Sequence, residues 1–312
     1  MTFAHVLPND HHHLQGIADI LGAASKIVTV TGAGISTNAG IPDFRSKNGS
    51  YSWGHRGLFN SSVLFDPERR HLFNQNITKM RRVAERAVPT RTHHFIRGLR
   101  DAGRLVRHYT QNIDCLEEKV GLSTDLQQGP GSRSRFRRPS RPKRVHIGHE
   151  RRLQDGSRGV ECVLLHGSLH RLRCSNCPGT LGWDEGGLEM ETPRGPEPPC
   201  PGCTKTSNDR MARGKRATAI GKLRPDIVLY DEQDPRAESI SAIALHDRSL
   251  HPDVLLIMGT SLATHGVQLL IRDFAKVVHE RRAGKVVFVN RTKPAKSWDG
   301  VIDYWVEWDC DT

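Results

Sequence analysis

Short apolar runs alternate with helical patterns along most of the chain, and this alternation constrains the fold more than any other feature. Runs too short to be core helices occupy residues 26–31, 104–110, 161–165, 226–230, 253–258 and 285–289. Such runs are typical of parallel strands that are buried on both faces. Helical patterns lie between them, at residues 14–24, 91–102, 235–245 and 267–282. The sequence therefore predicts an α/β fold with a Rossmann-like doubly wound parallel sheet.

Two regions interrupt the alternation and are predicted to be insertions. Residues 43–88 read as a loop followed by a helical insert, whose expected apolar face is formed by Leu58, Phe59, Val63, Leu64, Phe65, Leu72 and Phe73. Residues 172–222 carry four paired cysteines, many Gly and Pro residues and almost no periodicity. A segment of this kind needs a cross-link or a metal to be ordered. We expect residues 1–24 to form an N-terminal segment with the first helix, and residues 25–312 to form one large domain that holds both insertions.

The chain is strongly basic, and part of the excess charge lies in one segment. The formal net charge is +12 at pH 7, which favours polyanionic partners such as nucleic acid or chromatin. Residues 127–159 are rich in Arg, Ser, Gly and Pro, so disorder is expected there. Their cations are Arg133, Arg135, Arg137, Arg138, Arg141, Lys143, Arg144, Arg151 and Arg152. This basic loop is either a nuclear-localisation or DNA-phosphate patch, or a solvated loop without a partner.

The cysteines and the apolar content indicate the compartment. No apolar run approaches the roughly 18 residues that span a bilayer, and the N-terminus lacks the apolar core of a signal peptide, so we expect an intracellular protein with no membrane partner. Seven cysteines, an odd number, fit a reducing compartment better than a disulfide framework. Cys115, Cys162 and Cys310 are then expected to be free thiols.

The four remaining cysteines have the spacing of a zinc site. Cys174 and Cys177 form one C-x-x-C pair, and Cys200 and Cys203 form the other. Each pair can place two thiolates on one edge of a tetrahedron, which predicts a small zinc-ribbon module. A redox-active pair is the alternative. With four thiolates and no open position, the zinc ion is expected to be structural.

A glycine-rich segment follows the first predicted strand. Gly32-Ala33-Gly34-Ile35-Ser36 stands where a strand gives way to a helix N-terminus, whose backbone N–H groups can hold a diphosphate. The dinucleotide fingerprint requires a third glycine where Thr37 stands, and no clear acidic residue follows about twenty residues later. A dehydrogenase that transfers hydride is therefore disfavoured. A tight turn without a ligand remains the alternative.

Polar residues at other strand ends are candidates for the same site, because ligands bind at the carboxyl ends of parallel strands. Asp43, Phe44 and Arg45 follow the glycine-rich segment, although Arg45 could simply form a surface ion pair. The second strong strand is followed by Gln111, Asn112, Ile113 and Asp114. Asp114 could instead cap a helix that begins at Cys115, with Glu117 completing a capping box.

Three later strand ends complete the predicted pocket. His166 ends the run 161–165, and a histidine with a pKa near 6.5 can act as a general base, although a lone histidine at a strand end is more often structural. Gly259, Thr260 and Ser261 end another run, and Asn290 follows the last. Together these loops would line a pocket large enough for a dinucleotide.

In this order the motifs resemble the signature of the sirtuin family. The resemblance covers the chain from about residue 25 to its end. Within the family the chain is most similar to the fungal nuclear sirtuins that deacetylate histone H3, through residues 223–230, 264–266 and 303–311. It implies an NAD-dependent protein lysine deacetylase with a catalytic domain over residues 25–312, one structural zinc ion, a nuclear location and a role in transcriptional silencing.

The resemblance also implies roles for individual residues. His166 would be the base that deprotonates a ribose hydroxyl of NAD, and Asn112 and Asp114 would orient the ribose and the nicotinamide. Phe44 and Arg45 would belong to a mobile loop over NAD. The segments 32–36 and 259–261, with Asn290, would hold the diphosphate and adenosine, and Cys310 would lie near the adenine. The products would be free lysine, nicotinamide and O-acetyl-ADP-ribose.

By the same resemblance, an acetylated substrate peptide would pair as an added strand with Val228, Leu229, Tyr230, Asp231 and Glu232. The family usually has Phe-Gly-Glu where Tyr230-Asp231-Glu232 stands. Asp231 thus replaces a residue without a side chain, which bears on peptide binding. The expected partners are acetylated histone H3 and, through the basic loop, nucleosomal DNA. The alternatives are a non-catalytic chromatin module that binds zinc and DNA, and a mono-ADP-ribosyltransferase.

Overall fold

A parallel sheet of seven strands is the centre of the computed structural model, which describes residues 3–43, 57–136, 158–183 and 197–312. Phe44, Arg45 and most of the predicted basic loop lie outside the described residues. The described strands are β1 (Ala4–Val6), β2 (Ile27–Thr31), β3 (Leu105–Thr110), β4 (Cys162–Leu164), β5 (Gly167–Cys174), β6 (Thr180–Gly182), β7 (Leu223–Ile227), β8 (Val254–Met258), β9 (Lys285–Val289) and β10 (Tyr304–Val306).

The large sheet has the order β1-β10-β9-β8-β2-β3-β4, and all of its neighbouring strands pair in parallel. Five of the six predicted strands are in it, within one residue of their expected ends, so the doubly wound α/β fold is confirmed. The chain leaves in opposite directions from β2 and β8, which are neighbours. The switch point therefore lies between these two strands, where a crevice forms at their carboxyl ends. β1 and β10 were not predicted because neither gives a continuous apolar run of more than three residues: His5 interrupts the first, and Asp303 and Glu307 flank the second.

The helices are α1 (His11–Ala23), α2 (Pro67–Arg86), α3 (Arg91–Asp101), α4 (Leu116–Lys119), α5 (Pro201–Ala212), α6 (Ala237–Arg248) and α7 (His265–His279). The four helices predicted between the strands are confirmed as α1, α3, α6 and α7. Two apolar clusters cover the two faces of the sheet: Phe274 of α7 belongs to one of them and Ile96 of α3 to the other. None of the described helices is long and apolar enough to cross a membrane.

The run at residues 226–230 is not a strand of the large sheet, and that prediction was wrong. β7 instead pairs antiparallel with β5 in a three-stranded sheet with the order β6-β5-β7. A short apolar run indicates that a segment is buried, but not in which direction its strand pairs. Here β7 is buried in an apolar cluster separate from the two that cover the large sheet. The helix α5 lies in the stretch where the sequence shows almost no periodicity. Only Cys203 and Ser207 of α5 are buried, so it carries no apolar period.

The helical insert is α2, preceded by a short 3-10 turn at Ser61–Phe65. Asp66 caps α2 by accepting hydrogen bonds from the backbone N–H groups of Glu68 (3.0 Å) and Arg69 (3.2 Å). Most of the predicted apolar face is buried or half-buried, but Phe65 is 86% exposed and Leu72 is 45% exposed. The division of the chain at residue 24 stays a prediction.

Candidate active site and metal centre

The loops that follow β2 and β8 touch through their backbones at the switch point. The Gly34 N–H donates to the Gly259 carbonyl oxygen at 2.8 Å, and the Gly32 N–H donates to the Met258 carbonyl oxygen at 3.1 Å. A Cβ atom on Gly34 would lie 2.6 Å from the Gly259 Cα, and one on Gly32 would lie 2.8 Å from the Gly259 carbonyl oxygen. Only glycine therefore allows this close approach. The chain after β2 makes two 3-10 turns, Ala33–Ile35 and Thr37–Ala39, rather than the expected longer helix.

The residues after β3 are held by side-chain hydrogen bonds to these loops. The Gln111 side-chain amide donates to the Thr31 carbonyl oxygen (3.1 Å) and to the Thr260 hydroxyl (2.8 Å). The Asn112 amide donates to the Ser36 hydroxyl at 3.1 Å. Each contact joins strand ends that are far apart in sequence. The polar groups at the carboxyl edge of the sheet are thus fixed relative to one another.

His166 follows β4 and lines the cleft at this edge. Its Nδ1 lies 3.0 Å from the Gln111 carbonyl oxygen, which can only accept a hydrogen bond. Nδ1 therefore carries the hydrogen in the neutral ring, and Nε2 is left with a lone pair. Burial lowers the pKa of His166, partly opposed by the hydrogen bond to Gln111. The ring is neutral at pH 7 and suited to accept a proton at Nε2.

Asp114 is buried beside a second carboxylate. One of its oxygens accepts a hydrogen bond from the Leu116 N–H, the first of α4, at 3.1 Å, although the N-cap residue of α4 is Cys115. Glu117 does not complete the capping box, because its Oε1 lies 3.4 Å from the Nε2 of His108. Burial, and then the charge of Glu117, raise the pKa of Asp114 to about 7. Asp114 therefore titrates near neutral pH.

A cleft of about 1330 Å³ collects most of the predicted site residues. It is lined by Gly32, Ala33, Gly34, Asp43, Gln111, Asn112, Ile113, His166, Val228, Leu229, Tyr230, Asp231, Glu232, Gly259, Thr260, Ser261 and Asn290. A smaller apolar cavity of about 210 Å³ adjoins it and is lined in part by Ala33, Asn112 and Asp114. The predicted strand ends thus share one continuous site, which has room for a dinucleotide and part of a second molecule.

Three predicted site residues lie behind this lining. Ile35 and Ser36 are fully buried, and Ser36 supports Asn112 from below. The Cys310 sulfur lies 3.7 Å from the Val289 carbonyl oxygen, and burial raises the pKa of its thiol to about 12. Cys310 is therefore a packed, protonated thiol. No disulfide joins Cys115, Cys162 or Cys310, so these are free thiols as predicted.

The sequence did not identify several residues that line the cleft or the cavity. Phe59 borders both and was assigned only to the apolar face of the insert. Thr264 and His265 begin α7 and face the cleft from the side of β8. These two residues were noticed as part of the family resemblance, which could have marked them as site residues. The apolar wall formed by α6, including Ile240 and Leu245, gave no signal beyond ordinary helix amphipathicity.

The segment after β7 forms the opposite wall of the cleft. The Val228 N–H donates to the His166 carbonyl oxygen at 2.9 Å, and the Tyr230 N–H donates to the Phe59 carbonyl oxygen at 2.7 Å. Asp231 has a φ of 64°, and its carboxylate accepts a hydrogen bond from Asn60 at 2.6 Å. This left-handed conformation explains why glycine suits the position, and aspartate tolerates it better than most residues. Glu232 instead points inward and pairs with Arg173 and Arg224.

The four paired cysteines converge at one end of the small sheet. Their sulfur atoms all lie within 4.8 Å of one another, with 3.7 Å between Cys174 and Cys203 and 3.8 Å between Cys177 and Cys200. A tetrahedral zinc ion with Zn–S bonds of about 2.3 Å requires sulfur atoms about 3.8 Å apart. The backbone N–H of Asn176 donates to the Cys174 sulfur at 3.3 Å, which favours a thiolate. The cluster is a structural zinc site without an open ligand position.

A cleft at the switch point of a parallel sheet, floored by glycines from two strand ends, defines an α/β protein of the nucleotide-binding class. The family model described as "Sir2 family" matches residues 32–151 and 152–266. The chain belongs to the Sir2 family. Its relatives include the "NAD-dependent histone deacetylase HST3" of Candida albicans, which is 37% identical over 313 residues, and the protein of the same name from Saccharomyces cerevisiae, which is 36% identical over 326 residues.

The matched region is a part of these relatives. It covers 96% of this chain and 60% of the Candida albicans protein, and 99% of this chain and 68% of the Saccharomyces cerevisiae protein. Among solved structures, one described as "Sir2-p53 peptide-NAD+" superposes with a TM-score of 0.64 at 20% identity, covering 95% of this chain and 93% of that one. At this identity, the likeness shows a common fold.

Proposed function

We propose that this chain is an NAD-dependent protein lysine deacetylase. The observation that carries the proposal is the state of His166, a half-buried neutral imidazole whose Nδ1–H is fixed on Gln111 and whose ring borders the cleft. Membership of the Sir2 family and relatives named as NAD-dependent histone deacetylases support it. A binding module has no need for a base held in one tautomer, so the non-catalytic alternative is disfavoured.

In this proposal His166 acts as the general base. Its Nε2 takes the proton from a ribose hydroxyl, while the Gln111 carbonyl stabilises the ring as it becomes cationic. NAD supplies the ribose carbon that accepts the acyl oxygen, and nicotinamide is the leaving group. A reaction that builds positive charge on a sugar depends on fixed positions and a water-poor pocket. The buried Asn112 and Ser36 would provide that rigidity.

NAD would extend across the switch point. Gly32, Gly34 and Gly259 would give the diphosphate close access to the backbone, and Asn290 would lie towards the adenosine. Asn112 and Asp114 would orient the ribose and the nicotinamide at the small cavity. Asp43 would anchor the start of the loop that contains Phe44 and Arg45. Cys310 would act only through packing, because its thiol is protonated and faces Val289.

The acetylated substrate would be a basic histone segment, with histone H3 as the first candidate. Val228 to Glu232 line the cleft, and the side chain of Asp231 is exposed there. A lysine or arginine next to the acetylated lysine could pair with this carboxylate, a contact worth about 0.2–1 kcal/mol at a solvated surface. We therefore expect Asp231→Asn to raise KM up to about fivefold for a basic peptide, and to leave KM unchanged for a neutral one.

Action on histones implies a nuclear location, and the basic loop would add affinity for nucleosomal DNA. Both ends of this loop are anchored: Arg135 donates to the Val106 carbonyl oxygen at 2.8 Å, and the Val160 N–H donates to the Gly129 carbonyl oxygen at 2.9 Å. Replacing only residues 137–157 with a short linker should thus preserve the fold. Activity on nucleosomes should fall more than activity on a free peptide, and the difference should shrink with added salt. Equal losses, or none, would refute a DNA role.

The central experiment compares the wild type with His166→Ala on an acetylated histone H3 peptide, with and without NAD. Nicotinamide and deacetylated peptide should form in equal amounts, only with NAD and only in the wild type. His94→Ala is the matched control, because His94 is exposed on α3 and away from the cleft. Nicotinamide release without deacetylation would favour ADP-ribosyl transfer. Neither product on any acylated peptide would favour the binding module.

A further inference from the structure

A cluster of buried titratable groups lies beneath the small cavity. One carboxylate oxygen each of Asp114 and Glu117 and one ring nitrogen of His93 lie within 4.8 Å of one another. Asp114 is 4% exposed, and both Glu117 and His93 are 0% exposed. Asp114 lines the cavity, whereas Glu117 is buried on α4. Two buried carboxyl groups this close repel each other strongly when both are ionised.

Glu117 is the carboxyl group that stays ionised. Its Oε1 lies 3.4 Å from the Nε2 of His108, whose Nδ1 lies 2.7 Å from the Thr29 hydroxyl. Burial alone would raise the pKa of Glu117. The hydrogen bond with His108, followed by electrostatic attraction to His93 and His108, outweighs burial and lowers the pKa of Glu117 to about 2. Glu117 therefore carries a negative charge throughout the neutral range.

At neutral pH the ring of His93 is uncharged and does not neutralise the charge of Glu117. Its Nδ1 accepts a hydrogen bond from the Thr90 N–H at 3.2 Å, so the ring hydrogen is on Nε2 and a second proton would displace that bond. Burial also lowers the pKa of His93. Within the described part of the chain, neither His93 Nε2 nor Glu117 Oε2 has a hydrogen-bond partner.

The remaining groups around Asp114 do not change this charge balance. The Cys115 and Cys162 thiols stay protonated, because burial raises the pKa of Cys115 to about 12 and holds that of Cys162 well above its usual range. His170 faces Asp114 from β5, but it lies 3.5 Å from the Glu118 carboxylate. The Leu116 N–H and the Ser36 hydroxyl donate to Asp114 and favour its ionised form without preventing its pKa from rising to about 7.

We propose that Glu117 is a positioning residue whose buried charge, added to the burial of Asp114 itself, keeps a proton on Asp114 while the cavity is empty, and that Asp114 releases this proton when the cationic nicotinamide of NAD enters. The step breaks only the O–H bond of the Asp114 carboxyl, the electron pair stays on the oxygen, and the proton goes to solvent. The positive pyridinium ring then faces a carboxylate. This inference rests on the proposed function, because it assumes that NAD binds with its nicotinamide at the small cavity.

The test is calorimetry of NAD binding to the full chain in two buffers of different ionisation enthalpy, at pH 6.5, 7 and 8. With Asp114 titrating near pH 7, the wild type should release about half a proton at pH 7 and bind NAD about fourfold more weakly at pH 6.5 than at pH 8. Glu117→Gln should release a smaller fraction of a proton at pH 7 and show a weaker pH dependence, because only burial then raises the pKa of Asp114; release equal to that of the wild type would refute the role of Glu117. Glu118→Gln, which removes the neighbouring carboxylate of α4, should behave as the wild type.

His166→Ala separates the two titrating groups, since a protonated His166 would also repel a cation at low pH. Proton release that persists in His166→Ala supports the inference, and its loss there would refute it. If thermal unfolding shows that Glu117→Gln is not folded, Asp114→Asn replaces it and should release no proton, because an amide does not titrate. Wild-type binding without proton exchange overturns the inference but leaves the deacetylase proposal intact. Absence of NAD binding at every pH overturns the proposed function itself.

Discussion

The contact between Gly34 and Gly259 allows a quantitative prediction about the NAD site. Gly34→Ala would put a methyl carbon 2.6 Å from the Gly259 Cα and 2.9 Å from its carbonyl oxygen. Ordinary carbon contacts are about 3.5–4.0 Å, so the two loops must separate by roughly 1 Å. Both neighbours are backbone atoms, and no rotamer change can relieve the clash. A misplacement of about 1 Å can cost an active site about 100-fold in function.

We therefore expect Gly34→Ala to weaken NAD binding about 100-fold, or about 2.7 kcal/mol, as measured by calorimetry. The overpacking should also lower the free energy of unfolding by about 1–3 kcal/mol, as measured by urea denaturation. Gly22→Ala is the matched control, because a Cβ atom there meets nothing within 4 Å and the residue lies in α1. NAD affinity in Gly34→Ala equal to that of the wild type would refute the reasoning.

Three further predictions concern the metal, the sheet and the base. Cys200→Ser should reduce bound zinc from one ion per chain, as measured by elemental analysis, and lower the thermal stability, since the cluster uses all four thiolates; full zinc occupancy would contradict this assignment. Asp247→Asn removes the carboxylate that pairs with Arg107 at 2.8 Å and 2.9 Å and should cost about 3–5 kcal/mol in urea denaturation, because a buried guanidinium is left unpaired. With NAD saturating, so that Asp114 is already ionised, the acid limb of kcat/KM for the acetylated peptide should lie below pH 6.5, because burial lowers the pKa of His166 and the neutral base is lost only as pH falls through that value; an acid limb above pH 6.5 would argue against His166.

The parallel sheet and the location of the cleft could be predicted because both follow from local pattern. Each apolar run of the large sheet is short and continuous, and the residues after it lie at one edge whatever the details of packing. His166, Asn112 and Gly259 were therefore found from their positions at strand ends. The zinc cysteines were identified from their C-x-x-C spacing, which can be recognised without knowledge of tertiary contacts.

The remaining features depend on contacts between residues that are distant in sequence. The pairing of β5 with β7 is antiparallel, and the apolar run at 226–230 carries no sign of direction. Glu117 was interpreted as a helix-capping residue, since the sequence could not show that His108, nine positions earlier, lies 3.4 Å from its carboxylate. Cys115 and Asp231 both have a positive φ. This conformation usually belongs to glycine, so a cysteine or an aspartate in the sequence does not reveal it. Tertiary contacts decided the structure at these positions.

The buried carboxyl group of Asp114 should also destabilise the empty protein at high pH. Its pKa rises from the ordinary 3.8 to about 7, so the folded state binds the proton more tightly than the unfolded state. The stability that this provides is complete below pH 3.8 and is lost as pH rises to about 7, a loss on the order of 4 kcal/mol. An amide carries no charge, so Asp114→Asn should become more stable relative to the wild type between pH 5.5 and pH 8, by about 2 kcal/mol in urea denaturation. Groups that titrate in both proteins cancel in this difference. A difference in unfolding free energy that is the same at both pH values would show that Asp114 does not titrate in the folded protein.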